Sequence, residues 1–592
     1  MVAVNIPHLR QTTNSQQLIV DGKPFLMRAA ELQNSSLSSA EFMSKQWQKL
    51  VDTNINTVLG SVTWEMIEPE EGKFDFKELD RVILGAREYG LKLVLLWFGS
   101  FKNGEFCSTT CASHYPLTTM VGISTYAPPW MKLDDQRFPR AQLRKAGGVL
   151  ETADVFSLFD EQQEAVKADV KAFTQLMRHL KEFDEAHSTV IMVQVENETG
   201  LLGDSRDGSA AANKVFEQDV PQHLVQYLHK DWEALHGTLR ANLRTFSELV
   251  KASGNSVEKL AGKTWEQVFG SSQQTDELFM AFHYSHFLEK VAAAGKDEYP
   301  IPFYTNLWMN YVGPDGDNEF PSVAGGGGMP GDYPSGGAVA NVLDIWQHYA
   351  PHLDFIAPDV YLNDYASSCA NYRHRNQPLF IPEQRRDEYG ARRIWTAYAS
   401  YQALGVSPFG IDTLDPKTSP FRRHYGLLAQ VSEIVLEAQR TPGKAEGFYF
   451  DELEDDGADK SPARVFHMGN FEVRIERCFV FGRPGPGAGM IIHLDNSPNT
   501  AKFLLIGWGF QAVFKSLDPR SHFTGILKFE EKAVDAETKA LRTVRTLGGD
   551  ETRSGIFAMM PNEEPNYGGF PICVTVPADT AIAECQVYSL NG

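Results

Sequence analysis

The stretch VIMVQVENETG, residues 190–200, decides how the chain is read. Its first half is an apolar, β-branched run of the length and composition of a buried strand. Directly after it come Glu196, Asn197 and Glu198. Two acids and an amide at the C-terminal end of a buried strand contribute little to packing. In a parallel α/β barrel that end is where the chemistry is placed. Strand geometry turns successive side chains to opposite faces, so Glu196 and Glu198 are expected to share a side and Asn197 to face away.

Outward from this stretch the chain repeats one unit. LMRAA, NINTVLGSV, LKLVLLWFGSF, VIMVQV, PIPFYTNLW, DFIAPD, QPLFIPEQ and VSPFGI read as eight strands between residues 26 and 411. Stretches with apolar residues at helical spacing alternate with them, as in EQQEAVKADVKAFTQLMRHLKEFD, where Val166, Val170, Phe173, Leu176, Met177 and Leu180 fall on one face. Strand–helix alternation predicts a parallel sheet, and eight such units predict a (β/α)8 TIM barrel. Asp21-Gly22 predicts a hairpin turn ahead of the first barrel strand. Residues 104–159 read as a long irregular loop in which Pro128 and Pro129 exclude helix. Residues 203–299 are polar and helical in composition and read as an insertion between barrel strands. The Gly/Pro run at 322–337 lacks the Lys-Ser/Thr of a phosphate loop and reads as a flexible loop on the active face.

Thr441-Pro442-Gly443 interrupts the pattern. Beyond it come short apolar or alternating runs separated by turns, which predict an all-β, sandwich-like unit. The expected division is a catalytic barrel over 1–440 and an all-β domain over 441–592.

Totals narrow the function classes. The 592 residues are 42% hydrophobic and 22% charged, as in ordinary soluble globular proteins. A formal charge of −21 argues against nucleic acid and anionic membranes as partners. No window approaches a membrane span, and the N-terminal segment has no secretory leader pattern, so a cytoplasmic location is expected. A homo-oligomer is compatible with the sequence. Six scattered cysteines make no disulfide framework, and Cys107-x-x-x-Cys111 lacks a second metal-ligating pair. Nothing points to an organic cofactor or a required metal.

The candidate chemistry rests on two strand-end acids, Glu198 after strand four and Glu383 after strand seven. These strands lie across a barrel mouth from each other, and glycoside hydrolysis needs two convergent carboxyl groups. Arg385 and Arg386 stand near Glu383 in sequence as candidate cations. Asn197 is placed to bond a sugar hydroxyl. Trp64, Trp97, Trp130, Trp308 and Tyr361 are candidate sugar platforms or packing residues, with Lys102, Asn103 and Asn306 as further polar contacts. Glu31 and Glu65 read either as sugar ligands or as salt-bridge partners.

QVENETG resembles the Q-V-E-N-E-Y-G of glycoside hydrolase family 35 β-galactosidases, and TWEMIEPEEGKFDF resembles that family's W-x-x-x-E-P-x-x-G-x-F-x-F. The likeness extends over roughly the first 440 residues. The remainder looks like a β-rich domain of unknown function that accompanies some such enzymes. The resemblance implies a retaining, exo-acting β-glycosidase acting on a small carbohydrate substrate. In it Glu198 would be the acid/base, Glu383 the nucleophile, Asn197 a sugar ligand and Glu196 a supporting acid. Where that family carries an I-C-A-E-W-like segment after strand three, this chain has LLWFGSFKNG, and Tyr gives way to Thr199. A β-glucosidase or β-glucan-oligosaccharide hydrolase, a transglycosylase and an inactive sugar-binding protein are the alternatives.

Overall fold

The computed structural model describes residues 6–13, 15–102, 126–313, 326–571 and 578–591. Asn103, the Cys107/Cys111 pair and the start of the Gly/Pro run lie outside the described residues. Eight strands form one parallel sheet: β1 (Met27–Glu31), β2 (Thr57–Thr63), β3 (Lys92–Lys102), β4 (Val190–Asn197), β5 (Phe303–Trp308), β6 (Phe355–Asp359), β7 (Phe380–Gln384) and β8 (Gly405–Pro408). Pairing runs from β1 through β6 in sequence order, with β8 joining β1 to β7. The ring closes between β6 and β7, where the Val360 N–H donates to the Glu383 carbonyl at 2.9 Å and Val360 pairs with Gln384. This is the expected TIM-type barrel.

The period of two sorts the strand residues into two cores. On β3, Val94, Leu96 and Phe98 fill the barrel interior with Met27, Ala29, Leu59, Tyr304, Phe355 and Phe380. Leu93, Leu95 and Trp97 face outward and join the core beneath the surrounding helices. The N-terminal hairpin (His8–Gln11, Gln16–Val20) adds Leu18 and Val20 to the interior cluster, plugging one end. A second turn, at Asp21 (φ 50°) and Gly22 (φ 78°), joins Gln16–Val20 to the short strand Lys23–Pro24, with the two left-handed residues that a tight two-residue hairpin requires.

Helix α1 (Glu164–Asp184) buries Val166, Phe173, Leu176, Met177 and Leu180 against the strands, as its spacing predicts. The insertion is helical and ends in α2 (Gln273–Glu298). The reading of 104–159 as irregular is corrected over its described part. Pro129–Lys132 is a short helix that Pro129 opens, since the first helical position needs no N–H donor. Arg140–Lys145 and Val149–Phe156 pair as an antiparallel hairpin.

From Ala445 onward the described strands are antiparallel, in a six-stranded and a four-stranded sheet. Ile491, Phe503 and Leu505 of the larger sheet meet Phe471, Val473 and Phe510 of the smaller one in a separate core. Their sequence neighbours Met490, Ile492, Leu504 and Ile506 face the other way and merge with the barrel's outer core. The middle of the larger sheet is therefore buried on both faces. Its outer face lies on α3 (Glu388–Ala399) so closely that a Cβ at Gly447 would stand 2.1 Å from the Trp395 carbonyl oxygen. Arg392 and Arg393, almost wholly buried, reach across to Asp451 at 3.2 and 2.8 Å.

Gly447→Ala should destabilise the protein by about 1–3 kcal/mol, because backbone rather than a side-chain tip must give way. Gly237→Ala, where no atom lies within 4 Å of the added carbon, is the control and should stay within about 0.5 kcal/mol. Thermal unfolding of both variants checks this; equal midpoints would mean that sheet and helix are not tightly seated.

Candidate active site

At the end of β4 the alternation of a strand breaks. Glu196 (φ 61°) and Glu198 (φ 45°) both adopt the left-handed conformation, which costs a non-glycine residue roughly 1 kcal/mol or more. The expectation that these two acids share a side is thereby overturned. Glu196 turns into the wall, fully buried, and accepts the backbone N–H groups of Ser100 at 3.0 Å and Phe101 at 2.7 Å. Burial pushes its carboxyl well above the ordinary range, and the neighbouring Asp169 adds to the effect. Asp169 in turn accepts Trp97 Nε1 at 2.9 Å and the Ser100 hydroxyl at 2.6 Å. A Cβ at Gly99 would fall 2.4 Å from Glu196 Oε1, so only glycine fits between these groups.

Glu198 turns instead into the mouth. Its N–H donates to Asn306 Oδ1 at 2.9 Å, and Lys102 Nζ lies 3.1 Å from its Oε2. Asn306, on β5, also donates to Asp359 Oδ2 at 2.9 Å and lies 3.3 Å from Asn197 Oδ1. Asn197 Nδ2 is 3.3 Å from Glu198 Oε2. Across the mouth, the Tyr361 hydroxyl donates to Glu383 Oε2 at 2.9 Å. Glu198, Asp359 and Glu383 each bring a carboxylate oxygen within 4.8 Å of the others. The turn after Glu198 is held from outside: Leu201 and Ser335 exchange backbone hydrogen bonds at 3.0 and 2.9 Å. The described end of the Gly/Pro run is thus tied down. Tyr333 and Asn341 beside it bond the buried Glu277 of α2, whose carboxyl burial pushes up to about 7.

Charge is unevenly spread in this mouth. Glu31, Glu198, Asp359 and Glu383 interact with Lys102, the one cation that bears on the shifted carboxyl groups among the described residues. Burial raises Glu31 and Asp359 well above the carboxylate range, and the Glu383 charge reinforces both. Glu383 is pushed up to about 7, first by burial and then by the charge of Glu198, with Lys102 and Tyr361 opposing. Burial works against the Lys102 charge, yet the Glu198 and Glu383 carboxylates outweigh it and raise its ammonium above the usual value. Two carboxyl groups this close share protons as a pair, with one ionising well before the other. Glu31 Oε2, Asp359 Oδ1 and the Tyr304 hydroxyl are buried and meet no partner among the described residues. Such groups are costly unless a water or a ligand hydroxyl satisfies them.

The structure therefore gathers Glu31, Lys102, Asn197, Glu198, Asn306, Tyr361 and Glu383 at one mouth. Trp308 ends β5 beside Asp359 in register and is partly exposed, at the rim. Three other tryptophans do not serve as platforms. Trp64 and Trp97 are fully buried outside the strands, with Trp64 Nε1 on Glu68 at 2.7 Å. Outward parity on β3 sends Trp97 to the helices. Trp130 bonds the Glu68 carbonyl at 3.1 Å and sits edge-on to Trp64, pinning its own segment. Glu65 pairs with Lys132 at 2.9 Å. Arg385 pairs with Asp387, and Arg386 bonds Gly410 and Thr413, so neither is the cation beside Glu383. Asp359 is the member that sequence reasoning left out. Its signal was its place at the end of DFIAPD, equivalent to Glu31 and Glu383 on their strands.

Comparison with known proteins adds a family signature to this geometry. Residues 35–290 match the family described as Beta-galactosidase, glycoside hydrolase family 42. Residues 421–559 match a domain of unknown function, DUF5597. A glycoside hydrolase signature lies in the barrel. It corrects the family 35 resemblance: family 42 is the one matched, because short strand-end motifs reflect the shared demands of a barrel mouth more than one family. The match includes Glu198 and stops short of β5, so it does not reach Glu383. No curated protein matches the chain. Among solved structures it is similar to the β-galactosidases from Rahnella sp. R3 (15% identity, TM-score 0.42) and Marinomonas ef1 (13%, 0.43). It covers 70% of itself in each case, and 57% and 62% of those chains. It thus spans less than two thirds of their length. The catalytic domain of a β-amylase from Paenibacillus polymyxa is similar at 11% identity and TM-score 0.43, over 67% of this chain and 96% of that one. Among the described residues no helix is long and apolar enough to cross a membrane.

The raised Glu383 carboxyl makes a stability prediction. Between its unfolded value of 4.5 and about 7 the folded protein keeps a proton that the unfolded chain releases. Stability therefore falls as pH rises through that window. Glu383→Gln removes the loss, so the variant should match the parent near pH 4 and exceed it at pH 8 by on the order of 2–3 kcal/mol. Unfolding midpoints across this pH range decide it; a difference that stays constant with pH would contradict the assignment.

Proposed function

We propose that the protein is a retaining, exo-acting β-glycosidase of the β-galactosidase type, with Glu198 as acid/base and Glu383 as nucleophile. The observation that carries this reading is the approach of carboxylate oxygens of Glu198 and Glu383 to within 4.8 Å across the mouth. Retaining enzymes hold their two carboxyl groups roughly 5–5.5 Å apart, whereas inverting enzymes leave about 6.5–9.5 Å for a water. The family 42 match over residues 35–290 supports the reaction class. The chemistry resides in the barrel over residues 1–440, and the all-β part over 441–592 braces it through α3.

In the first step Glu383 attacks the anomeric carbon while Glu198 gives its proton to the departing oxygen. In the second, Glu198 takes a proton from water, which displaces Glu383 from the sugar. The pair needs one proton between its members. Lys102 Nζ is 3.1 Å from Glu198 and is influenced by both charges. It favours the ionised form of whichever carboxyl it faces. Its contact is with Glu198, and Glu383 is the carboxyl that burial and the Glu198 charge push up to about 7. The first step needs Glu383 ionised and the shared proton on Glu198. Asn197 and Asn306 are positioned to meet the sugar hydroxyls beside Glu198. Glu31 Oε2, Asp359 Oδ1 and the Tyr304 hydroxyl, each without a protein partner, supply further polar contacts deeper in the mouth. The three clustered carboxyl groups also suit a hard cation by donor type. The ammonium already in contact with Glu198 disfavours a second positive charge.

Lys102 contacts Glu198 at the mouth, and β-galactosides and β-glucosides are both candidate substrates. A panel of nitrophenyl β-galactoside, β-glucoside and β-xyloside separates these, with chelator as a control for metal. Inactivity on every member would sink the proposal. Glu383→Ala and Glu198→Ala should each lower kcat by at least about 10³-fold. Azide should rescue the former to an α-glycosyl azide and the latter to a β-glycosyl azide. The opposite anomers would exchange the two roles. Lys102→Met should make Glu383 harder to ionise and so move the acidic limb of kcat/KM to higher pH by about one unit. An unmoved limb would remove Lys102 from proton placement.

A further inference from the structure

We propose that the all-β part carries a second carbohydrate site, remote from the carboxyl pair, which binds a neutral oligosaccharide chain at its junction with the barrel. A cavity of about 320 Å³ opens there, within the range of roughly 300–1,000 Å³ typical of small-molecule sites. Arg423, Arg483, Asn562, Glu563, Glu564 and Asn566 line it over a floor that includes Cys478 and Val480. Two arginines and two glutamates cancel in charge, so the lining selects neither an anion nor a cation. What it offers is a ring of planar hydrogen-bonding groups, which suits the hydroxyl edge of a sugar.

Next to this lining along the chain stands an apolar surface. Phe479, Phe481 and Phe570 are exposed by 49%, 44% and 47%. Phe481 stacks on Phe570 at 4.4 Å and meets Phe479 edge-on at 5.6 Å. The Arg553 guanidinium lies 4.5 Å from the Phe479 ring centre and 5.5 Å from that of Phe481. A pyranose has a face of C–H groups that gains by leaving water against such a ring, while its hydroxyls stay directed to the polar lining. The platform is preformed. The Gly482 N–H donates to the Asn566 carbonyl at 3.0 Å, and a Cβ at Gly482 would lie 2.3 Å from Asn566 Oδ1, so the two loops are locked together. Three half-exposed rings offer roughly 300 Å², well short of the about 800 Å² per partner in a stable protein interface.

Its position suits a substrate chain held during hydrolysis. Arg423 lies in the first turn of α4 (Pro420–Ala438), which follows β8, with its guanidinium 3.6 Å over the Trp508 ring and 3.4 Å from Glu563. Helices in this barrel begin at the end where the strands present their carboxyl groups, so Arg423 of the cavity lining stands toward that end. The ligand class rests on the glycosidase reading, whereas the site rests on its own geometry.

Native gel electrophoresis of the full chain through gels containing soluble β-1,4-galactan, β-1,3/1,4-glucan or xyloglucan tests it. At least one polysaccharide should retard the protein. The Phe481→Ala/Phe570→Ala variant should lose at least threefold of that affinity while nitrophenyl glycoside turnover stays unchanged. Asn562→Ala, which leaves the rings in place, should weaken retardation too, with unfolding midpoints confirming that both variants fold. Absence of retardation in the parent, or equal retardation in parent and variants, overturns the proposal. So does a dimer in sedimentation that the double phenylalanine variant dissociates, since the rings would then be a self-interface. Retardation without turnover on any β-glycoside would leave this site standing while removing the enzymatic reading.

Discussion

Among the described residues, four carboxyl groups at the ends of four strands surround a single ammonium at the mouth of the barrel, and the site's properties descend from that imbalance. Glu31, Glu198, Asp359 and Glu383 cannot all be ionised in so little water, so protons are held where the unfolded chain would release them. Lys102 offsets one negative charge, contacts Glu198 at 3.1 Å and opposes the upward shift of Glu383. The arrangement opposes folding, as buried like charges do. Strained backbone at Glu196 and Glu198 adds to the cost. A stable scaffold has to offset both.

That scaffold is unusually continuous. The outer core of the barrel runs without interruption into the six-stranded sheet, because alternate residues of that sheet face the sandwich core and α3. The Arg392 and Arg393 contacts with Asp451 extend from the helix that follows β7, the strand bearing Glu383. On the opposite side, Glu196 grips the backbone of β3 next to Lys102, and Asp169 of α1 braces the same point. The two catalytic candidates are thus supported from separate directions. The all-β part steadies the β7 side, and the helical wall steadies the β4 side.

How much of this was legible in the linear chain varies by element. Strand number, the helical insertion and the all-β tail follow from periodicity, because the hydrophobic effect writes a period of 2 or 3.6 into any element with one buried face. The strand-end acids were visible because polar residues after apolar runs stand out. Trp64 and Trp97 carried two readings, platform or packing, and both pack: Trp64 opens a short helix after β2, and Trp97 faces outward from β3. A tryptophan near a strand end belongs to the mouth or to the helical wall according to the parity of its position, and Trp97 shares parity with Leu93 and Leu95 rather than with Val94 and Leu96. Pro129 was misread because proline forbids the interior of a helix and not its first residue. Arg385 and Arg386 were near Glu383 in number, but their side chains pair with Asp387 and with Gly410 and Thr413.

By itself the sequence determined the alternation of elements, the eightfold count and the residue types available at each strand end, since these depend on local periodicity and composition. Tertiary structure alone decided which of those residues meet. Ring closure between β6 and β7 brings Asp359 and Glu383 together, and two left-handed residues at the end of β4 turn Glu198 inward while sending Glu196 into the wall. Neither a closing register nor a backbone held in an unfavourable conformation leaves a trace in residue spacing, because both are imposed by contacts between segments remote along the chain.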